Sequence, residues 1–327
     1  MIISRTPLRM SFVGGGSDLP EFYRKYGGAV VSTAINKFVY ITLNEKFDHR
    51  IRISYSKTEE ADTVAEVQHP LVRESMKLLA VRGGIEITSI ADIPSKGSGL
   101  GSSSAFTVGL LHALHAYSGR YASAEQLARE ACAIEIDRCG EPIGKQDQFA
   151  AAFGGFNFIQ FNADDSVSVE PILCRRETLS KIEESIIIFY TGISRSASAI
   201  LKNQREAVSS SEAKQKTLQR MVQLARDLKA ELQKNNSETF GEILHEGWEL
   251  KRSITGEISS REIDGWYAAA RTAGATGGKL LGAGSGGFLM FYAPREKHDA
   301  IAESLQDLRR IPIRFEPQGS RIIFVHN

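Results

Sequence analysis

The stretch "PSKGSGLGSSSAF", residues 94–106, sets three glycines and three consecutive serines between a β-rich segment and a run of good helix formers. Gly97, Gly99 and Gly101 let the backbone approach a ligand closely, and Ser102, Ser103 and Ser104 sit where the following helix exposes its first unpaired N–H groups. Such a terminus attracts phosphate. Neither standard nucleotide signature fits, because GxxxxGK[ST] is absent and a GxGxxG register does not match. Taken alone, the stretch is equally well a tight turn capped by serine. Two further glycine loops change that balance. SFVGGGSDLPEF, residues 11–22, interrupts a strand-like run and ends in Ser17 and Asp18, a polar pair suited to hydroxyls; KLLGAGSGGFLMF, residues 279–291, sets another glycine-serine loop against a strong strand. Three such loops point to one shared cleft.

Composition sets the bounds around these loops. A chain of 327 residues, 42% hydrophobic and 24% charged, can bury a sizeable core and is long enough for two domains. The formal charge of +1 gives no reason to expect nucleic acid or a membrane surface as partner. No window has the run of apolar residues that a membrane span needs, and MIISRTPLRMSF lacks the pattern of a signal peptide, so a cytoplasmic location is expected. Cys132, Cys139 and Cys174 are odd in number and show no CxxC spacing, which argues for reduced thiols. Cys132 and Cys139, seven apart, are read as one buried helical face.

Secondary structure reads as a mixture without regular βαβ alternation, hence α+β. Strands are expected at 29–34, 38–43, 50–55 and within GIEITSIADIP; a helix is expected at 70–80. AFTVGLLHALHAY is apolar nearly all round and reads as a buried helix. SAEQLAREACAIEIDRC reads as another helix, opened by the capping-box spacing of Ser123 and Gln126. KIEESIIIFYTG supplies a fresh core strand near residue 180. A long helix follows with Leu218, Met221, Ala225, Leu228 and Leu232 on one face. Helices at 240–251 and from Ser259, where Glu262 completes a capping box, precede the strand FLMFYAP, a helix at 295–308, and strands IRFEP and RIIFVH.

The three loops together resemble the three motifs of the GHMP kinase superfamily, named for galactokinase, homoserine kinase, mevalonate kinase and phosphomevalonate kinase. Pro94 followed by GLGSSSA at 99–105 is similar to its P-x-x-x-G-L-G-S-S-A signature, TPLRMSFVGGGSD to its N-terminal motif and GAGSGGF to its C-terminal one. The resemblance implies a ribosomal-protein-S5-like domain over 1–180, a ferredoxin-like domain over 181–327, ATP and the acceptor between them, and Mg²⁺ as the cofactor. It also implies roles. Pro94 and the backbone from Gly97 through Ser98, Gly99, Leu100, Gly101 and Ser102 to Ser104 would cradle the triphosphate. Ser103 and Glu135 would hold the metal, hard oxygen ligands being what Mg²⁺ requires. EPIGKQDQFAAAFGG resembles the galactokinase stretch carrying the catalytic aspartate, which implies Asp147 as general base, and Arg9 matches the arginine beside it, placed to offset charge developing on the acceptor oxygen.

Galactokinases carry Glu-His before the Thr-Asp of the first motif, whereas this chain has Gly15 and Gly16 before Ser17 and Asp18, which disfavours galactose. PLRMSFVGGGSDLPEFYRKYGGAVVSTAINKFVYI, with GKQDQFAAAFGG, resembles the bacterial D-glycero-D-manno-heptose 7-phosphate kinase family, implying transfer to an anomeric hydroxyl on the way to GDP-heptose. Gly14, Gly15, Gly16, Ser17, Asp18, Gly284 and Ser285 are the expected sugar contacts. An acceptor that already carries phosphate needs a basic patch; Arg24, Lys25, Lys145 and Arg195 are the candidates, with Lys145 and Arg195 preferred. The other readings are a sugar-1-kinase of the L-fucokinase kind and a catalytically silent sugar and ATP sensor, against which the GLGSSSA loop, Glu135 and Asp147 argue. A homodimer is left open.

Overall fold

The computed structural model describes residues 1–93, 97–193 and 197–326, so Pro94 and Arg195 lie outside the described residues. β1 (Ile2–Val13) leads through α1 (Pro20–Tyr26) into the 18-residue strand β2 (Gly28–Glu45), followed by β3 (Ile51–Ser54), β4 (Thr58–Ala61), α2 (Pro70–Leu78) and β5 (Ile85–Ala91). Three helices come next, α3 (Ser102–Tyr117), α4 (Ala124–Cys132) and α5 (Gln146–Phe153), then the hairpin β6 (Phe156–Phe161) and β7 (Val167–Pro171). β2 is the spine of this sheet. The sequence reads it as two strands because Asn36 and Lys37 interrupt the apolar run, and those residues do fall at a register shift opposite Pro7 and Leu8 of β1. The strand continues nevertheless, since its first half pairs with β6 and its second half with β5.

A second set of elements begins with α6 (Arg176–Glu184) and β8 (Ile186–Tyr190). It continues through α7 (Ala197–Ser209), α8 (Glu212–Gln233), α9 (Phe240–Ile254), α10 (Arg261–Thr272), β9 (Gly277–Leu280), β10 (Phe288–Tyr292), α11 (His298–Ser304) and β11 (Arg309–Arg310). Strands here pair in the order β11-β8-β10-β9. The expected apolar stripe of α8 is buried in full, from Leu218 to Leu232. The last strand, β12 (Arg321–Val325), leaves this sheet and pairs with β1, so a cut at residue 180 would strip β1 of an edge partner. Helices and sheets segregate as α+β, and apolar residues of both sheets merge into one core.

Several local expectations shift for physical reasons. The segment read as the strand IRFEP runs between the two sheets and makes a single bridge, Ile35 to Phe315, its backbone bonding Ala34 and Asn36 instead. Ser260 rather than Ser259 caps α10, accepting from the Ile263 amide, while the Ser259 hydroxyl donates to Asp264. Ser123 caps α4 as read, by accepting from Gln126 N at 3.1 Å. α4 then widens into a π-turn over Ala133–Arg138, with Cys139 N donating to Ile134 O. That extra residue per turn breaks the seven-residue phase, so Cys132 is buried while Cys139 is only half-buried. Among the described residues, no helix is long and apolar enough to cross a membrane.

Candidate active site

β1 carries Arg9 to the point where α5 begins. Arg9 Nε donates to Asp147 Oδ1 at 2.8 Å and Nη2 to Oδ2 at 2.7 Å, a two-pronged pair that matches the guanidinium fork to the carboxylate. Its third donor, Nη1, reaches Gly99 O at 2.7 Å, and its amide bonds Leu100 O. One arginine therefore ties the glycine loop to the aspartate. Both side chains face a cleft of about 450 Å³ that all three glycine loops help to line.

The start of α3 faces the same cleft. Gly101 is its N-terminal cap, in the left-handed conformation and without a side-chain cap, so the amides of Ser102, Ser103 and Ser104 are left for a ligand. Glycine is required where the loops meet: a Cβ on Gly99 would lie 2.2 Å from Leu281 O, and one on Gly282 would lie 2.4 Å from Gly99 Cα. The two backbones touch with no room for side chains. Leu100 is buried and contributes only its carbonyl, not a cleft surface.

Behind the serines lies Glu135, wholly buried on the π-turn. It accepts from Ser103 Oγ at 2.7 Å, Ser104 Oγ at 2.8 Å and Gln148 Nε2 at 2.6 Å. Burial raises its carboxyl pKa, against the pull of these three hydrogen bonds. The Gln148 Oε1 atom beside it is buried without a partner. Ser103 itself is exposed at the cleft.

Asp18 lines the cleft at the end of the first glycine loop. Its oxygens accept from Gly16 N at 3.0 Å and Gln146 N at 3.2 Å, so it clamps the first loop to the start of α5. Burial raises its pKa and the charge of Asp147 raises it further. Gly144 lies over it: a Cβ there would be 1.9 Å from Asp18 Oδ2. Gly15 and Gly16 line the cleft beside it.

Other expected contacts are placed elsewhere. Ser17 turns inward, donating to Gly14 O at 2.7 Å, and a Cβ on Gly14 would meet Ala29 O, so both residues brace the loop against β2 rather than face the cleft. Of the third loop, Gly282 and Ala283 line the cleft, whereas the Ser285 hydroxyl donates to Glu257 O and a Cβ on Gly284 would meet Ile258 backbone. Lys145 is drawn off to Asp165, at 3.1 Å from its carbonyl and 3.4 Å from Oδ1, and lies over the Tyr23 ring. Arg24 pairs with the same Asp165. The Arg24 and Tyr23 hydrogen bonds hold that carboxyl well below the usual carboxylate range.

Two residues that sequence reading passed over are in the cleft instead. Lys251 of α9 and Lys279 of β9 line it, each more than nine-tenths buried. Both were signalled. Lys251 continues the stripe Phe240, Leu244, Gly247 and Ile254 at helical spacing, and Lys279 sits inside a wholly buried strand, places where a charge has no packing reason to be.

A cleft with an arginine-held aspartate and an open helix N-terminus defines a site for phosphoryl transfer. Comparison with known proteins agrees: the family model for the GHMP kinases N terminal domain matches residues 63–155, and that for the GHMP kinases C terminal matches residues 228–309. The chain is 30% identical over 319 residues, 92% of each protein, to the D-glycero-alpha-D-manno-heptose 7-phosphate kinase of Campylobacter jejuni. It superposes with a TM-score of 0.82 and 27% identity, over 100% of both chains, on the crystal structure of a D-glycero-D-manno-heptose 1-phosphate kinase from Bacteroides thetaiotaomicron. It is also 25% identical, over 92% of its length and 31% of the other protein, to the bifunctional fucokinase/GDP-fucose pyrophosphorylase of Arabidopsis thaliana. The chain belongs to the GHMP kinase family of ATP-dependent phosphotransferases. Within that family its relatives group it with the sugar kinases.

Proposed function

We propose that this protein transfers the γ-phosphoryl group of ATP to the anomeric hydroxyl of D-glycero-D-manno-heptose 7-phosphate. The observation that carries the reading is the Arg9–Asp147 pair, facing the cleft in a chain so similar to a heptose 7-phosphate kinase. The acceptor oxygen attacks the γ-phosphorus, the bond to the bridging oxygen of ADP breaks, and the hydroxyl proton passes to Asp147. Arg9 keeps the carboxylate aimed and offsets the charge that builds on the acceptor oxygen. The amides of Ser102, Ser103 and Ser104 take the triphosphate oxygens, while Asp18, Gly15 and Gly16 form the wall against which the sugar is placed.

The oxygen donors here fit Mg²⁺. Ser103 Oγ reaches the cleft, Glu135 stands directly behind it, and the orphaned Gln148 Oε1 adds a third hard oxygen. Mg²⁺ is a cation that takes one or two protein oxygens and the rest from nucleotide and water. Ser103 and Glu135 would hold it, and the ion would supply positive charge to offset that of the triphosphate.

The test is ADP release across a panel of heptose 7-phosphate, the unphosphorylated heptose, L-fucose and mevalonate. Heptose 7-phosphate is expected to have the highest kcat/KM. Equal or better use of L-fucose would move the assignment to a fucokinase-like sugar-1-kinase.

A further inference from the structure

Lys251 and Lys279 take no part in the mechanism above, yet each places an ammonium group at the cleft wall at a cost that packing does not repay. Their hydrogen-bond partners among the described residues are all neutral: Gln204 Oε1 at 2.9 Å and Gly15 O at 3.4 Å for Lys251, and Ser11 O at 2.8 Å for Lys279. A buried ammonium without a counter-ion carries an effective penalty of several kcal/mol. Here two of them stand close enough that the charge of Lys251 adds to the burial that depresses Lys279. The amide Nε2 of Gln204, beside Lys251, is itself buried and without a partner. Three donors thus lie along one side of the cleft with no carboxylate among their hydrogen-bond partners in the described residues; Asp18 acts on Lys251 through its charge without bonding it. An oxygen-rich dianion is the ligand class that satisfies such a set.

The lysines share one cleft with the 97–104 loop, and their hydrogen bonds say which part of it they belong to. The lysines bond to Ser11 and to Gly15, the segment that leads to Asp18 and the acceptor wall, and neither bonds to the 97–104 loop. That loop already has its own positive contributions, the α3 N-terminus and Arg9. Of the two residues preferred from the sequence for a second anion, Lys145 is tied to Asp165, and Arg195 lies outside the described residues.

We infer that Lys251, Lys279 and Gln204 form the seat for the second phosphate of the acceptor, the one that is not transferred. This rests on the reading of the acceptor as a sugar phosphate. It makes the three residues determinants of specificity: they reward a phosphorylated sugar, because an unphosphorylated one leaves the buried ammonium groups without a hydrogen-bonded anion.

The experiment compares kcat/KM for heptose 7-phosphate with that for the same heptose lacking the phosphate, in the wild type and in Lys251→Met, Lys279→Met and Gln204→Leu. Methionine keeps the length of the stem and removes the unpaired charge, so ligand-free melting temperatures should hold or rise; Lys251→Gln serves as a second variant if one fails to fold. In each lysine variant the preference for the phosphorylated acceptor should fall by about tenfold or more, through KM, as expected on losing a charge-assisted hydrogen bond. Variants that keep the wild-type preference overturn the inference, as do variants whose kcat falls equally on both acceptors, which would assign the lysines to the transferring group. A wild type with no preference for the phosphorylated sugar overturns both this inference and the proposed acceptor, whereas a preference that survives substitution overturns the inference alone.

Discussion

Arg9 uses one lone pair of each Asp147 oxygen and leaves the other free, so the carboxylate is held in place without losing its capacity to accept a proton. Asp147→Ala should therefore lower kcat by about a hundredfold or more while ATP affinity, measured by equilibrium titration, changes little. Turnover that survived the change would remove Asp147 from the role of base. Ser103→Ala tests the metal reading: it removes a cleft-facing oxygen, and the Mg²⁺ concentration for half-maximal activity should rise. An unchanged Mg²⁺ dependence would reject that assignment. At this scale the motif residues were legible because their types are dictated by chemistry. Lys251 and Lys279 were not found that way, since a lysine in an apolar stripe declares only that something is unusual.

Single elements show where short-range rules gave way. β2 reads as two strands because Asn36 and Lys37 break the pattern, but hydrogen bonds to β6 and β5 on either side make the break a shift of register rather than an end. α4 reads as a longer regular helix, and the π-turn that follows it carries Glu135 inward beneath Ser103 and Ser104. Propensity does not distinguish the two windings; the buried hydrogen bonds do. Gly144 is a third case, in the segment before α5, where it lies against the Asp18 carboxylate. Gly144→Ala should displace Asp18, raise the KM for the acceptor more than that for ATP, and destabilise the fold by about 1–3 kcal/mol, the usual range for overpacking. Steady-state kinetics with each substrate varied in turn, and a denaturant titration, check both parts.

The whole molecule holds its cleft between two sheets that share one core, and its net charge of +1 hides a strongly uneven interior. Burial lowers Lys251 to about 8 and Lys279 to about 7, from an ordinary value of 10.5; Asp18 opposes the shift on Lys251, while Lys251 and Arg9 reinforce it on Lys279. Between about pH 7 and 10.5 the unfolded chain then binds more protons than the folded one, so these groups make ligand-free stability rise with pH over that window. Melting temperatures of the wild type and of Lys279→Met, followed from pH 7 to pH 9, should converge as pH rises. A difference that does not vary with pH would show that Lys279 stays charged in the folded protein as it is in the unfolded one.

The sequence by itself brought out the glycine-serine loop and, through its family resemblance, the residues that the structure gathers around one cleft. Glycines at 97, 99 and 101, the serines after them, Arg9, Glu135 and Asp147 are residues whose backbone freedom or functional group admits few substitutes, and they lie in runs short enough to recognise. The α+β class was equally legible, because period-two and period-3.6 patterns are local. Only the tertiary structure decided how the first glycine loop and its surroundings are arranged. Which of Ser17 and Asp18 faces the cleft, that Lys145 is held by Asp165, and that α9 and β9 bring their lysines to the segment before Asp18 all depend on contacts between residues more than a hundred apart in several cases. Such contacts are set by how the two sheets close on each other, and no local pattern records that closure.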